Sequence, residues 1–339
     1  DSHTHNGSYH QEPVTWTWGL NPNGDADILD YMAEVLLPAI TARMRDEHGV
    51  ATIPHGDFVD PREPERGWIP LGPQPRYLSN YVGLRNRLSV LNEQYPYADY
   101  ETRVRGAYAL FRSFLDHLHA HRDEVVALVR AADLRALGRT EGVFVVEHEY
   151  EPLERLLTIQ GYEMEVVESA GGRRRARPTE TERTYEGVPY LARAAAKRSA
   201  PLPRAYVIPV PEVAVVENLR RHGIAVERLV EPAVLEVEAF SVTELSGSER
   251  LDQGHYTSTA SGTWSTVELE APVGAYLVRT SQPLGMLAAC LLEPESDDGL
   301  LVWNFFDRYL RRQWSNAPQV HPVYKLHGPA ALVTELVTR

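Results

Sequence analysis

Leu88-Ser89-Val90-Leu91-Asn92-Glu93-Gln94-Tyr95 reads as a buried strand that ends at a carboxylate. Leu88, Val90 and Leu91 supply its apolar positions. In open α/β sheets ligands bind beyond the carboxyl ends of strands, which makes Glu93 a candidate functional acid. On residue type alone, an ion pair between Glu93 and Arg85 or Arg87 at a sheet edge is an equal reading. Upstream, residues 50–80 carry Pro54, Pro61, Pro64, Pro70, Pro73 and Pro75, a density that predicts a long surface loop of the kind used around active sites.

The chain opens with Asp1-Ser2-His3-Thr4-His5-Asn6-Gly7-Ser8-Tyr9-His10, too polar for a core strand or helix. Three histidines in ten residues suggest a metal or substrate site, because the neutral imidazole offers a nitrogen lone pair near neutral pH. After the turn Asn21-Pro22-Asn23-Gly24, Asp25 or Asp27 is an N-cap. Ile28, Met32, Val35, Leu36, Ile40 and Met44 then trace a helical face up to Gly49, with Pro38 expected to kink or split it.

From Asp99 to Asp133 the periodicity is helical again, with Val104, Tyr108, Phe111, Leu115 and Leu118 as the apolar face, continued by Val125, Leu128 and Val129. His117 and His121 share a face at i,i+4, and a solvated helix surface is the favoured reading of the 117–121 histidines. A second domain is expected from about Leu134–Gly138, dividing the chain into 1–134 and 135–339. It begins with strands at 142–146 and 162–168. The stretch from Gly171 to Pro203, including Arg173-Arg174-Arg175, is expected to be a hairpin tip or loop. A strand at 205–209, a helix from Val213 to a Gly223 cap and a strand from Ile224 form a small α/β unit. Strands at 235–242, 263–269 and 276–278 suggest antiparallel structure. A helix over 283–292 carries Cys290, the single cysteine, as a buried thiol. Glu293-Pro294-Glu295-Ser296-Asp297-Asp298-Gly299 lacks the alternating oxygen spacing of a calcium loop and reads as a turn.

A net charge of −13 argues against a nucleic-acid partner, and no run of eighteen apolar residues is present for a membrane span. A single cysteine rules out an intrachain disulfide and a cysteine metal cluster. Oligomeric state is not readable.

Asp1-Ser2-His3-Thr4-His5-Asn6-Gly7-Ser8 is similar to the third-ligand motif of the zinc carboxypeptidases, and Leu91-Asn92-Glu93-Gln94-Tyr95 to their general-base motif. Pro75 to Arg87 resembles the loop and strand leading into that base in large bacterial members. The resemblance covers roughly residues 1–130; a weaker one, through Pro203–Ile208 and Leu292–Gly299, extends to the C-terminal extension of those members. It implies an α/β fold: the C-terminal half of a carboxypeptidase-like α/β/α mixed-sheet domain, followed by a smaller α+β domain rich in antiparallel strands. It implies a metallopeptidase acting on peptide substrates, with Zn2+ as cofactor, His3 as metal ligand and Glu93 as general base. Tyr77, Tyr81, Arg85 and His10 are the substrate-side candidates, and the location is extracellular or periplasmic. The family's His-x-x-Glu pair has no counterpart before His3, so the chain is expected to be an N-terminally truncated fragment, inactive alone. A catalytically silent relative that binds rather than cleaves is the alternative.

Overall fold

The computed structural model describes residues 2–4, 10–168, 174–311 and 319–338. His5 and Arg173 lie outside them. Strands β1 (Ser2–Thr4) and β2 (Val14–Thr17) come first. Helix α1 (Ala26–Asp30) follows, capped by the Asp25 side chain, which accepts from the Ile28 N–H. The predicted helical face over 26–48 is present, with Ile28, Met32, Leu36, Ile40 and Met44 buried and Val35 left 40% exposed. Pro38 divides it as expected. Residues Tyr31–Leu36 form a π-helical turn, and α2 (Leu37–His48) restarts with the proline in its first turn. Proline has no N–H to give and its ring crowds the carbonyl four residues back, so the wider turn relieves both. Gly49 ends α2 with φ +65°, the left-handed conformation that glycine adopts without a Cβ penalty.

The proline-rich stretch is more ordered than its composition predicts. It contains β3 (Thr52–Pro54), β4 (Asp57–Phe58), a 3-10 turn (Pro64–Arg66), β5 (Trp68–Ile69) and the start of α3 (Leu78–Gly83). Trp68 is fully buried and donates its indole N–H to the Pro54 carbonyl, which anchors the loop. The predicted strand over 88–95 is shorter than expected. Residues Leu88 and Val90 are irregular and only β6 (Leu91–Gln94) pairs.

Helices α4 (Tyr100–Ala120) and α5 (Arg122–Leu137) realise the second helical segment, but α4 buries a different face from the one predicted. Gly106, Ala109, Leu110, Ser113, Phe114 and His117 point inward, while Val104, Tyr108, Phe111 and Leu115 are 49–65% exposed. The cause is steric. A Cβ on Gly106 would fall 2.5 Å from Val14 Cγ2, so the helix lies on the sheet through its small residues. His117 is buried, not solvated: its ring pairs with the Tyr31 hydroxyl at 3.0 Å and stacks on His121.

Beyond α5 come β7 (Val143–Glu151), β8 (Leu156–Glu168), β9 (Arg174–Pro189) and β10 (Arg193–Pro201). The stretch 171–203, read as a tip or loop, is therefore mostly strand; β8 and β9 pair antiparallel, and the connection at 169–173 lies outside the described residues. The remainder is β11 (Ala205–Ile208), α6 (Val213–Arg221), β12 (Glu227–Leu229), β13 (Ala233–Gly247), β14 (Ser258–Ala271), β15 (Tyr276–Arg279), α7 (Gly285–Leu292), α8 (Asp307–Leu310), β16 (Gln319–Val320), β17 (Tyr324–Leu326) and β18 (Thr334–Leu336).

Two larger sheets stand beside the two-stranded pairs β4–β5, β7–β10 and β8–β9 among the described residues. The first runs β1-β6-β2-β3, with β1 parallel to β6, β6 antiparallel to β2 and β2 parallel to β3. The second runs β14-β13-β17-β11-β15-β12-β18 through antiparallel pairs. The fold is mixed α/β with many antiparallel strands. One apolar core forms around Trp16, Trp18, Phe114 and Trp68 and takes in Ile159, Val188 and Tyr190 from the β8–β9 region. A second packs α6 and α7 on the larger sheet and includes buried Cys290.

In that second core Tyr206 and Lys325 stand opposite each other on neighbouring strands. Both reach Glu293 at the end of α7: Lys325 Nζ lies 2.8 Å from Oε2, and the Tyr206 hydroxyl donates to Oε1 at 2.6 Å. The acidic turn 293–299 thus includes a buried ion-pair partner as well as a change of direction.

Candidate active site

The parallel pairing of β1 with β6 puts His3 directly opposite Glu93. Because side chains of aligned neighbours leave the sheet on the same face, both reach one cavity of about 350 Å³. Thr17, Trp18, Leu20, Leu71, Gly72, Leu91 and the run Arg76–Asn80 complete its lining. Such a volume falls at the lower end of ordinary small-ligand pockets. Glu93 is half-buried, and its Oε2 atom is shielded from solvent with no hydrogen-bond partner among the described residues. Loss of solvent raises its carboxyl above the ordinary glutamate range, and the charge of His3 acts in the opposite direction.

Local geometry explains why the walls hold. Gly19, just after β2, approaches α3 so closely that a Cβ there would lie 2.7 Å from the Ser79 carbonyl oxygen. Asn80 is buried and fully engaged: Oδ1 accepts from the Leu20 N–H, and Nδ2 donates to the carbonyls of Gly72 and Gln74. Ser89 donates to the Ser79 carbonyl at 2.7 Å. The side chain of Asn80 therefore ties the loop to the segment just after β2 that holds Trp18 and Leu20.

Of the residues singled out from sequence, the fold brings His3, Glu93 and Tyr77 together at this cavity. Tyr81 and Arg85 are not among its lining residues. The Tyr81 hydroxyl contacts His222 Nδ1 and Arg85 Nη1, each at 3.0 Å, and Arg85 also donates to the His222 carbonyl at 2.6 Å. Arg87 pairs with Asp133, so neither arginine forms the ion pair with Glu93 that the sequence left open. His10 is 1% exposed, packed against Tyr95 and the edge of Trp68, with Nδ1 3.7 Å from Glu12. Arg76, Asn80 and Trp18 were missed: the partners that place them lie far along the chain, and no local pattern marks them.

Glu12 is itself buried, and desolvation pushes its carboxyl up to about 7 against the pull of the Gln160, Glu12 and Gln11 N–H groups. A carboxyl whose folded value exceeds its unfolded one stabilises most at low pH. Its contribution should be lost as pH rises from 4.5 to about 7. Denaturant midpoints measured across that interval should fall in the wild type, and Glu12→Gln should remove that part of the slope; an identical slope in the variant would assign the effect elsewhere.

The chain is 33% identical over 112 residues to Carboxypeptidase 2 of Trichophyton rubrum, which is 32% of this chain and 21% of the relative. It is 35% identical over 96 residues to Carboxypeptidase 2 of Trichophyton tonsurans, covering 28% of this chain and 18% of that protein. The likeness is to fungal carboxypeptidases. A Probable carboxypeptidase 2 of Arthroderma benhamiae (strain ATCC MYA-4681 / CBS 112371) gives 33% over 100 residues, 30% of this chain and 19% of that one. The matched stretch spans about a fifth of the length of each of these relatives. No family model matches the chain, and no solved structure matches it. The partial matches suggest a carboxypeptidase-like family, and the relatives are fungal rather than bacterial.

A zinc ion would need more than this cavity shows. His3 is a suitable nitrogen donor, but among the described residues no group of three His, Cys, Asp or Glu side chains converges. Catalytic zinc takes three protein ligands, so the described donors do not complete a set. No helix among the described residues is long and apolar enough to cross a membrane.

Proposed function

We propose that the cavity is part of a carboxypeptidase-type site hydrolysing peptide bonds, with Glu93 as general base and His3 as one zinc donor. The observation that carries the reading is the His3–Glu93 pair across adjacent parallel strands, opening on one cavity with a carboxylate oxygen unpartnered among the described residues. The partial likeness to carboxypeptidases supports it independently. Desolvation makes the Glu93 carboxylate a stronger base than one in water. In the reaction its Oε2 accepts a proton from the attacking water as oxygen bonds to the carbonyl carbon. The same proton then goes to the departing amide nitrogen as the C–N bond breaks. Tyr77, an exposed lining residue of the cavity, would contact the peptide. The zinc donors beyond His3 are unassigned.

The natural protein in full should hydrolyse N-blocked dipeptides, lose activity with 1,10-phenanthroline and regain it with zinc, with about one zinc per chain by elemental analysis. His3→Ala should lower that zinc content. The absence of a three-donor cluster among the described residues favours one second reading, a relative that binds peptides without cleaving them. A natural protein that holds no zinc and shows no hydrolysis would support it and sink the first. An extracellular or periplasmic location belongs to the same proposal and is checked by fractionating cells that express the natural gene.

A further inference from the structure

Arg76 lines the cavity wall, yet its donors are taken up by carboxylates from elsewhere in the chain. Its backbone N–H donates to Asp298 Oδ2 at 2.6 Å, and its Nε donates to Asp298 Oδ1 at 3.0 Å. Nη2 lies 2.9 Å from the same oxygen, and Nη1 donates to Asp252 Oδ2 at 2.6 Å. The guanidinium also lies over the Trp303 ring at 5.0 Å, while the Trp303 indole N–H donates to Asp298 Oδ1. Two residues earlier, Gln74 donates to Asp297 Oδ2 at 3.0 Å. Asp298 is almost wholly buried, with a side chain 2% exposed.

These partners come from far along the chain. Asp297 and Asp298 belong to the acidic turn after α7, and Asp252 to the connection between β13 and β14. Each stands more than 170 residues from its partner on the 71–80 wall. Charge-assisted bonds in which one arginine meets a carboxylate through several donors combine energy with fixed geometry. With these donors engaged and two carboxylates beside it, Arg76 is unsuited to bind the carboxylate of a peptide. It is suited to hold the wall.

We propose that Asp298, with Asp252 and Trp303, is a positioning residue for substrate: it clasps Arg76 and so keeps the 71–80 wall, with Tyr77 and Leu78 at its rim, in the shape that admits a peptide. The proposal rests on the peptidase reading of the cavity for its kinetic part and on the hydrogen bonds alone for its structural part. It also gives the C-terminal part of the chain a task at the site.

The test uses the natural protein in full, with Asp298→Ala, Asp298→Asn and Asp252→Ala. Backbone hydrogen exchange over residues 71–80 should quicken on the order of tenfold in Asp298→Ala, because the wall then opens locally more often. KM for an N-blocked dipeptide should rise roughly tenfold with kcat within about twofold, the pattern of lost ground-state binding. Asp298→Asn, which keeps an acceptor for the Arg76 N–H, should restore most of both. Asp252 is more exposed, so Asp252→Ala should move both readouts the same way by less and serves if Asp298→Ala does not fold. Unchanged exchange over 71–80 overturns the proposal, and so does faster exchange with KM unmoved. Should the wild type hydrolyse no peptide, the peptidase reading fails by itself, and the exchange measurement still decides whether the clasp exists.

Discussion

Glu93→Gln in the natural protein should lower kcat for dipeptide hydrolysis by at least about a hundredfold while KM moves little. The substitution keeps the shape of a side chain that faces His3 at the cavity and removes its capacity to take a proton. Positioned general bases contribute on the order of 10²–10⁴-fold. Full activity in Glu93→Gln would remove it from the chemistry altogether.

The second large effect concerns stability. Lys325 and Glu293 are each 1% exposed and 2.8 Å apart, with Lys325 Nζ also 4.0 Å above the Trp264 ring. Lys325→Met should cost about 3–5 kcal/mol, because it leaves a carboxylate buried without its counter-charge. Desolvation already raises the Glu293 carboxyl with Lys325 in place, so the lone acid would be driven further toward its neutral form. Adding Glu293→Gln should recover much of the loss, since the amide retains an acceptor for the Tyr206 hydroxyl and carries no charge. Urea titrations of the two variants separate the outcomes: equal destabilisation in the single and double variants would mean that Lys325 acts through packing.

Several features of this fold were legible because they are local. A cap at Asp25 or Asp27, the break at Pro38, the end of the helical face at Gly49 and the antiparallel run after residue 233 each follow from the residues themselves. His3 and Glu93 were readable as types in a pattern, although nothing in the sequence gives their cross-strand register. The failures have a common physical origin in tertiary context. The exposed stripe Val104, Tyr108, Phe111 and Leu115 is a regular helical pattern, but contact with the sheet follows the small residues around Gly106. His117 looked solvated because Tyr31, its hydrogen-bonding partner, is 86 residues away. The acids at 293–299 looked like a turn alone because Lys325 and Arg76 come from opposite directions along the chain.

The contact at Gly106 reaches beyond the helix that contains it. Its missing methyl would press on Val14 and come within 3.0 Å of Gln94 Oε1, and Gln94 immediately follows Glu93 in β6. A single hydrogen atom in place of a methyl therefore works as a spacer for the whole layer. Thickening it would push on the strand beside the candidate base from behind, so position 106 gauges the alignment of a carboxylate that it never touches.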